Sequence, residues 1–365
     1  MRIGIGALVG IVGGPATYAR ELVGALARLG GHNYVVFTDQ PERFAAIDVE
    51  RVHVPLATTY HQVTWDHARL PGMVAAHGVA LYHGTKNVLP WRLAVPGVVT
   101  VHDLAVYACP ETFAWPQRLH FRLAVPASVA RAARVIADSQ HARGDLVARF
   151  GLDPARVPVV PLAMSAAFDV PPELEAVAGL RARHGLGTRL IACVGTVQPR
   201  KRVERVIEAF GRADGAARGW QLTIAGRLRP GYAPPWLQAL PPGVRWLGPL
   251  DDEALRALYA AAEIAMTASE YEGFGLTVLE AMASGCAVIA PALTSIPEVA
   301  GDAALLVARS DAALLGDALA RLFDDPATRA SLSERARRRA AEFTWKETAR
   351  RTRQVYEEVY EEVLG

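Results

Sequence analysis

The chain has 365 residues, of which 51% are hydrophobic and 21% are charged, and its formal net charge is +2. This composition is typical of a globular protein that is too long for one ordinary core, so we expect two domains. The nearly balanced charge excludes the basic field of a protein whose main partner is nucleic acid.

The start of the chain and its cysteines indicate the cellular compartment. Residues 1–8 read as a strand rather than a signal peptide, and no apolar run reaches the length of a membrane span. The three cysteines have neither metal-ligand spacing nor an even-numbered disulfide framework, which agrees with a reducing compartment. We therefore expect a cytoplasmic protein in which Cys109, Cys193 and Cys286 serve as small apolar residues.

The first half of the chain alternates short apolar strands with helical patterns. A buried strand over residues 1–8 leads through a glycine loop into a helix from about Pro15 to Leu29. Further strands are predicted at residues 34–39, 52–54, 80–82, 98–101 and 135–137, and a helix at residues 66–77. Ser139 is well placed to cap the helix after the last of these strands. The alternation predicts a parallel sheet with helices on both faces and with ligands at the carboxyl ends of the strands.

The glycine loop after the first strand is similar to a phosphate-binding loop. However, Gly4, Gly6 and Gly10 miss the G-x-G-x-x-G spacing, so nicotinamide dinucleotide binding is not favoured. We interpret Gly13 and Gly14 as a thin part of the loop that faces a cleft between two domains. A plain strand-to-helix turn is the alternative.

Polar side chains follow two of the predicted strands. His83 and Lys86 come after one strand, and His102 comes after the next one along the chain. A histidine after an apolar strand is commonly structural, but a position beside the predicted cleft favours a functional role. Lys86 also stands out because only Lys86, Lys201 and Lys346 are lysines among the 39 basic residues.

A basic segment without acidic residues extends from Arg118 to Arg134. It contains four arginines and His120, interleaved with Leu, Phe and Val, and we expect Pro126 to interrupt its helix. The preferred interpretation is a solvated or cleft-facing basic face. The alternative is contact with an anionic membrane surface, which would place the protein peripherally at the inner face of the plasma membrane.

From about Met164 the pattern loosens into a proline-bearing connector, which we take as a domain boundary. A second series of strand and helix units follows. Its predicted strands are residues 190–195, 220–225, 244–247, 264–267 and 287–290, and its predicted helices are residues 201–210, 251–261 and 276–284. The predicted organisation is an N-terminal domain over 1–165, a linker over 166–188, a C-terminal domain over 189–343 and a final amphipathic helix over 344–365. That helix is long enough to cross back to the first domain, and simple surface packing is the alternative.

The stretch SEYEGFGLTVLEAMASG, residues 269–285, combines two carboxylates with a glycine turn. Glu272 comes just before the turn at residues 273–275, and Glu280 lies in the helix that begins near Leu276. Glycines admit a ligand close to the main chain, and the N–H groups of a first helical turn attract phosphate. The carboxylates would repel phosphate unless they accept hydrogen bonds from hydroxyl groups. The stretch therefore predicts a ligand with both phosphates and hydroxyls, such as a nucleotide sugar.

Two cations stand in the first strand-to-helix turn of the second domain. Arg200 and Lys201 would weaken the dipole of the following helix unless a bound diphosphate lay between them, and an exposed surface cluster is the alternative. We expect no divalent metal, because the sequence has no Asp-x-Asp pair and no histidine cluster with ligand spacing. The charge of a leaving nucleoside diphosphate would then be met by these cations and by N–H groups near Gly273 and Gly275.

Several segments, in the right order, resemble the family 4 glycosyltransferases. These are retaining enzymes with the GT-B fold, in which two Rossmann-like α/β/α domains face a cleft. Their donor-binding signature resembles E-G-F-G-x-x-x-x-E together with LEAMASGCAVIAPALTSIPEVAGDAALLV in this chain. Their glycine turn and Pro-Arg-Lys segment are similar to VGTVQPRKRVERVIEAF, their first-domain histidine to TVHDL, and their linking strand and helix to ADSQHARGDL.

The resemblance implies a role for each matching residue. Glu280 would bind the ribose hydroxyls, and Glu272 would hold a hydroxyl of the donor sugar near the reacting carbon. Arg200 and Lys201 would hold the diphosphate. His102 would contact the sugar from the first domain, and Gly13 with Gly14 would border donor and acceptor. The implied catalytic residues are His102 and Glu272. The implied donor-binding residues are Gly13, Gly14, Thr196, Arg200, Lys201, Gly273, Phe274, Gly275, Leu276 and Glu280.

One departure from the family pattern follows the first strand of the second domain. Some relatives place a phosphate-binding arginine directly after the glycine of that strand, whereas here Gly195 is followed by Thr196. Arg200 is therefore expected to carry more of the phosphate contact.

The resemblance implies transfer of a hexose from a nucleotide sugar to a glycan or lipid-linked acceptor, with no cofactor beyond that co-substrate and no metal. The branch that looks closest, from WDHARLP, LYHGTKNVLP and VHDLAVYACPETF, includes bacterial mannosyltransferases of cell-surface polysaccharide synthesis. GDP-mannose is the first choice of donor, with UDP-glucose or a UDP-linked amino sugar as alternatives. The competing functions are a nucleotide-sugar epimerase of the same fold, which is not expected to carry the Glu272 and Glu280 signature, and a non-catalytic nucleotide-sugar-binding protein.

Overall fold

The computed structural model describes residues 1–8, 13–55 and 65–364. The chain divides into two compact units: the first comprises Met1–Ala163 and Phe343–Gly365, and the second comprises Met164–Glu342. Gly10 of the predicted glycine loop lies outside the described residues.

The first unit is built on a parallel sheet. Within the described residues its strands are β1 (Arg2–Ala7), β2 (Asn33–Thr38), β3 (Glu50–His53), β4 (Leu81–Gly84), β5 (Gly97–Val101) and β6 (Arg134–Ala137). They pair in the order β3-β2-β1-β4-β5-β6. Nearly every residue of the four central strands is buried, so both faces of the sheet are covered, as the continuous apolar runs predict.

The register of this sheet brings polar residues together at the carboxyl ends of its strands. Val101 of β5 lies opposite Ala137 of β6, so the residues that follow, His102 and Asp138, leave the sheet side by side. On the neighbouring pair of strands, Gly6 of β1 lies opposite Gly84 of β4, so these two strands also end side by side.

Helices connect the strands of the first unit. The α-helices among the described residues are α1 (Gly14–Leu29), α2 (Leu70–Ala76), α3 (Ala105–Ala108), α4 (Trp115–Arg131) and α5 (Gln140–Phe150). A π-helix spans Trp65–Arg69, and 3₁₀ turns span Pro41–Phe44, Pro110–Thr112 and Pro154–Arg156. The helix predicted over residues 66–77 is therefore a π turn followed by α2. The predicted cap is confirmed, because the Ser139 hydroxyl accepts the N–H of Ala142 at 3.0 Å at the start of α5.

The expected interruption at Pro126 is wrong. Helix α4 is continuous from Trp115 to Arg131 with Pro126 inside it. Proline removes one helical hydrogen bond, but Ala124, Val125 and Val129 are buried around it and hold the helix against the unit. Packing of this apolar face therefore outweighs the lost bond.

The second unit contains another parallel sheet. Its strands are β7 (Leu190–Val194), β8 (Gln221–Ala225), β9 (Val244–Gly248), β10 (Ile264–Met266), β11 (Ala287–Pro291) and β12 (Ala304–Val307), in the order β12-β11-β10-β7-β8-β9. The α-helices are α6 (Leu174–His184), α7 (Val203–Arg212), α8 (Asp252–Ala261), α9 (Leu276–Ala283), α10 (Ile296–Ala300), α11 (Ala312–Asp324) and α12 (Pro326–Ala340). Further 3₁₀ turns span Ala166–Asp169, Pro199–Lys201 and Pro235–Leu237.

The strand order of the second sheet creates a switch point between β7 and β10. Chain order runs outward from β7 through β8 to β9 on one side, and from β10 through β11 to β12 on the other. Ligands of open parallel sheets bind at the carboxyl ends of strands at such a point. The loops after β7 and β10, together with α9, carry the predicted site residues of this unit.

Two segments lie at the boundaries between the two units. The predicted linker over residues 166–188 contains α6, which packs on α8 and belongs to the second unit. The last helix, α13 (Trp345–Leu364), belongs to the first unit and packs on α1. It is tied there by the Thr348 hydroxyl, which donates to the Pro161 carbonyl at 2.7 Å, and by the Tyr356 hydroxyl, which is hydrogen-bonded to His83 Nδ1 at 2.7 Å.

Candidate active site

The loops after β7 and β8 approach each other through glycine backbone in the second unit. Gly195, directly after β7, has a φ of 139°, in a region that L side chains rarely adopt. A Cβ atom on Gly226, after β8, would lie 2.0 Å from the Gly195 carbonyl oxygen. The two loops therefore lie against each other at glycine positions at the carboxyl end of the sheet. A Cβ atom added to Gly195 would lie 3.6 Å from Lys201 Nζ, so glycine at this position leaves room for the Lys201 side chain.

Arg200, Lys201 and Glu272 form one ion-paired cluster. The Glu272 carboxylate accepts a hydrogen bond from Lys201 Nζ on one oxygen and from Arg200 Nη1, at 3.1 Å, on the other. The three side chains are 10–14% exposed. Burial raises the pKa of the Glu272 carboxyl, but the two cations outweigh it and bring that pKa down to about 2. Burial lowers the pKa of the Lys201 ammonium, and Glu272 opposes this change.

The backbone of Glu272 is held as firmly as its carboxylate. Its N–H donates to the Thr294 hydroxyl at 3.1 Å, and its carbonyl accepts from the Ser295 hydroxyl at 2.9 Å. Arg200 also donates to the Tyr271 carbonyl. The loop after β10 is thus fixed from both sides, which keeps the carboxylate against the cations.

A second ion pair joins the same two loops. The Glu270 carboxylate accepts from Arg202 Nε and from Arg205 Nη1, each at 2.7 Å. Arg202 has a φ of 47°, which places it in the left-handed region at the start of α7. The predicted helix over residues 201–210 therefore begins at Val203, and Lys201 lies in the preceding 3₁₀ turn.

Glu280 lies in α9 in a different electrostatic environment. Its carboxyl is half-buried, and no side-chain hydrogen bond joins it to another of the described residues. Burial and then Asp252 raise its pKa to about 8, and Lys201 acts in the opposite direction. A carboxyl of this kind has its oxygens available to hydroxyl groups of a ligand.

The glycine turn leads into α9 with the geometry that an anion site requires. Gly275 precedes the helix with a φ of 100°. The N–H groups of Leu276 and Thr277 take part in no hydrogen bond among the described residues, as is usual in a first helical turn. Phe274 is buried and anchors the turn, whereas Thr196 is exposed. The second unit therefore combines cations, helical N–H groups and a carboxyl whose oxygens have no hydrogen-bond partner among the described residues.

His102 of the first unit is fixed by hydrogen bonds on both ring nitrogens. Nδ1 lies 2.7 Å from Asp138 Oδ2, and Nε2 donates to the Thr85 carbonyl at 2.9 Å. The ring of Tyr18 meets it edge-on with the ring centroids 4.7 Å apart. Burial lowers the pKa of the imidazole, but Asp138 and the Thr85 carbonyl outweigh it, so the pKa is raised. Any contact of His102 with a sugar would require one of these bonds to be exchanged.

The predicted glycines of the first unit lie at the start of α1. Gly13 has a φ of 101° and precedes the helix, and both Gly13 and Gly14 are exposed. A Cβ atom on Gly13 would meet no described atom within 4 Å. The backbone conformation, rather than crowding by described residues, therefore requires glycine at position 13.

Two family models match the chain, and together they cover most of it. The model described as Glycosyltransferase Family 4 matches residues 12–167, and the one described as Glycosyl transferases group 1 matches residues 181–339. The O-antigen chain mannosyltransferase B of Escherichia coli is 27% identical over 288 residues, which are 76% of this chain and 74% of that protein. The chain belongs to the family 4 glycosyltransferases.

Other relatives of this glycosyltransferase agree in class or in fold. The D-inositol 3-phosphate glycosyltransferase of Salinispora arenicola is 33% identical over 73% of this chain and 64% of that protein. The crystal structure of Anabaena Alr3699/HepE in complex with UDP and glucose has a TM-score of 0.74 and 17% identity, over 98% of this chain and 100% of that one. A glycosyltransferase from Rickettsia africae has a TM-score of 0.76 and 16% identity, over 98% of both chains. The predicted class of a two-domain, Rossmann-like GT-B hexosyltransferase is confirmed.

Several residues around the predicted His102 were missed by sequence reasoning. Asp138 holds His102, and its signal was readable, because it follows a strand adjacent to the one that ends before His102. A buried chain of hydrogen bonds, from Tyr18 through Thr100 and His83 to Tyr356, had no such signal, because Tyr356 belongs to the last helix.

The described residues offer no grouped ligands for a metal ion. Among residues 1–8, 13–55 and 65–364, no three His, Cys, Asp or Glu side chains come together as a metal site would require. The expectation of metal-independent transfer stays a prediction.

Proposed function

We propose that the protein is a retaining transferase that moves a hexose from a nucleotide sugar to a glycan or lipid-linked acceptor of cell-surface polysaccharide or glycolipid synthesis, without a metal ion. The observation that carries the proposal is the cluster of Arg200, Lys201 and Glu272 beside the hydroxyl-accepting Glu280 in one unit. This set matches the two chemical halves of a nucleotide sugar, which are phosphates and hydroxyls.

The diphosphate would take its place against Arg200, Lys201 and the N–H groups at the start of α9. Glu272 neutralises about half of the cationic charge, so the cluster retains one net positive charge before the ligand arrives. As the sugar bond breaks, negative charge grows on the leaving phosphate, and positioned cations and helical N–H groups stabilise it. Glu272 would then hold a hydroxyl of the sugar, and Glu280 would accept the ribose hydroxyls.

GDP-mannose is the donor we propose first. Its support is the E. coli relative, a mannosyltransferase by name, at 27% identity. UDP-glucose and a UDP-linked amino sugar are the next donors to test, since the Anabaena structure with the same fold contains UDP and glucose.

A direct experiment separates these donors and tests transfer itself. The purified protein would be screened for thermal stabilisation by nucleotides and nucleotide sugars, because a ligand of the native state raises its stability. The stabilising donor would then be incubated with a chelator and membrane extract, and release of free nucleotide measured for wild type, Glu272→Gln and the exposed control Glu253→Gln.

Stabilisation by GDP-mannose, with nucleotide release lost only in Glu272→Gln, would support the proposal. Isomerised nucleotide sugar without free nucleotide would point to an epimerase and contradict it. Binding without turnover would contradict catalysis.

The exposed side of α4 supports an anionic membrane surface as a further partner. Trp115, Leu119 and Leu123 are 65%, 45% and 63% exposed, and they alternate with Arg118 and Arg122. Apolar side chains between arginines suit a lipid interface with acidic headgroups. Within the described residues, the helices are too short or too polar to span a bilayer.

Vesicle sedimentation tests the membrane contact. Binding to vesicles with acidic lipids should fall when Trp115 and Leu123 are both replaced by serine. The control Leu174→Ser removes an apolar side chain that is 83% exposed on the second unit and should leave binding unchanged. Equal binding of all variants would contradict the proposal.

A further inference from the structure

A second polar cluster lies in the first unit and does not include His102. The ring of His67 stacks on the indole of Trp91, with centroids 4.0 Å apart and planes 12° from parallel. The ring of His120, on α4, lies 6.2 Å from that of His67. Three separate segments of the chain thus bring two imidazoles and an indole together.

His67 is buried without a hydrogen-bond partner. Its residue is 8% exposed, and neither Nδ1 nor Nε2 is hydrogen-bonded within the part of the chain that the structure describes. Buried polar atoms in folded proteins are nearly always paired, so two vacant nitrogens on one ring need an explanation. Trp91, against which the ring stacks, is 53% exposed, so the cluster reaches the surface.

The neighbouring groups that lower the pKa values of the two histidines are basic residues. Burial, then His120 and Arg131, lowers the pKa of His67 to about 4. Burial and then Lys86 lower the pKa of His120. An anion at this place would relieve the repulsion and turn both imidazoles into donors.

We propose that His67, His120 and Lys86 bind a phosphoryl group carried by the acceptor. A phosphoryl group offers several acceptor oxygens, which matches two imidazole rings and an ammonium better than a single hydroxyl does. The inference rests on the proposed transfer reaction and names the chemistry of its acceptor. That group belongs either to a sugar phosphate in solution or to a polyisoprenyl-linked phosphate.

Inorganic phosphate is the first probe, with histidine ring nitrogens observed by NMR. With a saturating nucleoside diphosphate at the donor site, added phosphate should shift the His67 and His120 signals and raise their pKa values. His67→Phe keeps a ring against Trp91 and removes two unpaired nitrogens, so the fold should survive. Its phosphate dissociation constant, read at His120, should rise at least tenfold, as it should in Lys86→Met. The control His53→Phe, at an exposed site on β3, should bind as wild type.

Two competitors then distinguish the source of the phosphoryl group. Displacement of phosphate by a hexose phosphate indicates a soluble acceptor, and displacement by a polyisoprenyl phosphate in micelles indicates a lipid-linked one. Phosphate that neither compound displaces is an adventitious ion only, and this result overturns the inference. The inference is also overturned if phosphate leaves the ring signals unmoved, or if His67→Phe binds phosphate as tightly as wild type. Thermal stabilisation by nucleotide, measured on the same variants, shows separately whether the donor site works.

Discussion

Replacing Glu280 with glutamine should stabilise the ligand-free protein while weakening its affinity for the donor. Burial and Asp252 raise the pKa of this carboxyl from 4.5 to about 8, and the side chain has no hydrogen-bond donor among the described residues. Glutamine has nearly the same shape and no charge. The variant therefore removes the electrostatic penalty without leaving a cavity.

The sign of the effect follows from the two protonation states of Glu280. Below about pH 4.5 the carboxyl is protonated in both the folded and the unfolded chain, so the substitution changes little. As pH rises toward 8 the unfolded chain ionises first, so wild-type stability falls, and the loss is complete above about pH 8. Each tenfold change in the acid constant is worth about 1.4 kcal/mol, so the loss of unfolding free energy caused by Glu280 has an upper limit of about 5 kcal/mol. Because Glu280 is only half-buried, solvent reduces this, and we expect about 1–3 kcal/mol.

Denaturant unfolding at about pH 5 and about pH 9 measures this difference. Glu280→Gln should exceed wild type in unfolding free energy mainly at the higher pH, whereas Glu253→Gln, an exposed carboxylate of α8, should follow wild type at both. Nucleotide affinity at the higher pH should fall by about tenfold or more, since hydrogen bonds to a charged acceptor are worth about 1.5–3 kcal/mol. A variant that is less stable than wild type at high pH, or that binds nucleotide equally well, would refute the reasoning.

Three further predictions follow from the same contacts. Lys201→Ala should weaken nucleoside diphosphate binding by about 1.5–3 kcal/mol, measured by calorimetry, with the exposed Lys346→Ala as a control that changes nothing. Tyr356→Phe leaves buried His83 Nδ1 without its partner and should lower the free energy of unfolding by about 1–3 kcal/mol, whereas Tyr360→Phe, at a site that is 38% exposed, should not. Nucleotide release should persist in a chelator, and activity that is lost and then restored by magnesium would contradict metal-independent transfer.

The sheet order explains how much of the site could be predicted. Apolar strands separated by helical patterns identified both parallel sheets, and ligands of such sheets bind where strand order reverses. The turn with Lys201 and the loop with Glu272 were therefore both assigned to the donor. The direct ion pair between Lys201 and Glu272 was not predicted. The two residues are 71 positions apart, and they come into contact because β10 lies beside β7 in the sheet.

Two local differences have opposite explanations. The helix α6 carried a readable signal, because basic residues in its last turn are followed by Gly185, which ends it in the left-handed conformation. The continuity of α4 through Pro126 could not be read, because it depends on tertiary packing of one helix face rather than on local preference.

The two carboxyls of the E-G-F-G-x-x-x-x-E pattern lie eight residues apart and have opposite electrostatic environments. Two cations hold the pKa of Glu272 at about 2, so it is ionised whenever the cluster is intact, whereas burial keeps Glu280 neutral up to about pH 8. Groups whose environments separate their pKa values in this way take different roles. In the proposed reaction, Glu272 would balance charge beside the phosphate site and would exchange its ion-pair partners when a diphosphate binds. Glu280 would accept hydroxyl groups without adding a second negative charge, so the proposed phosphate site can contain two carboxyls.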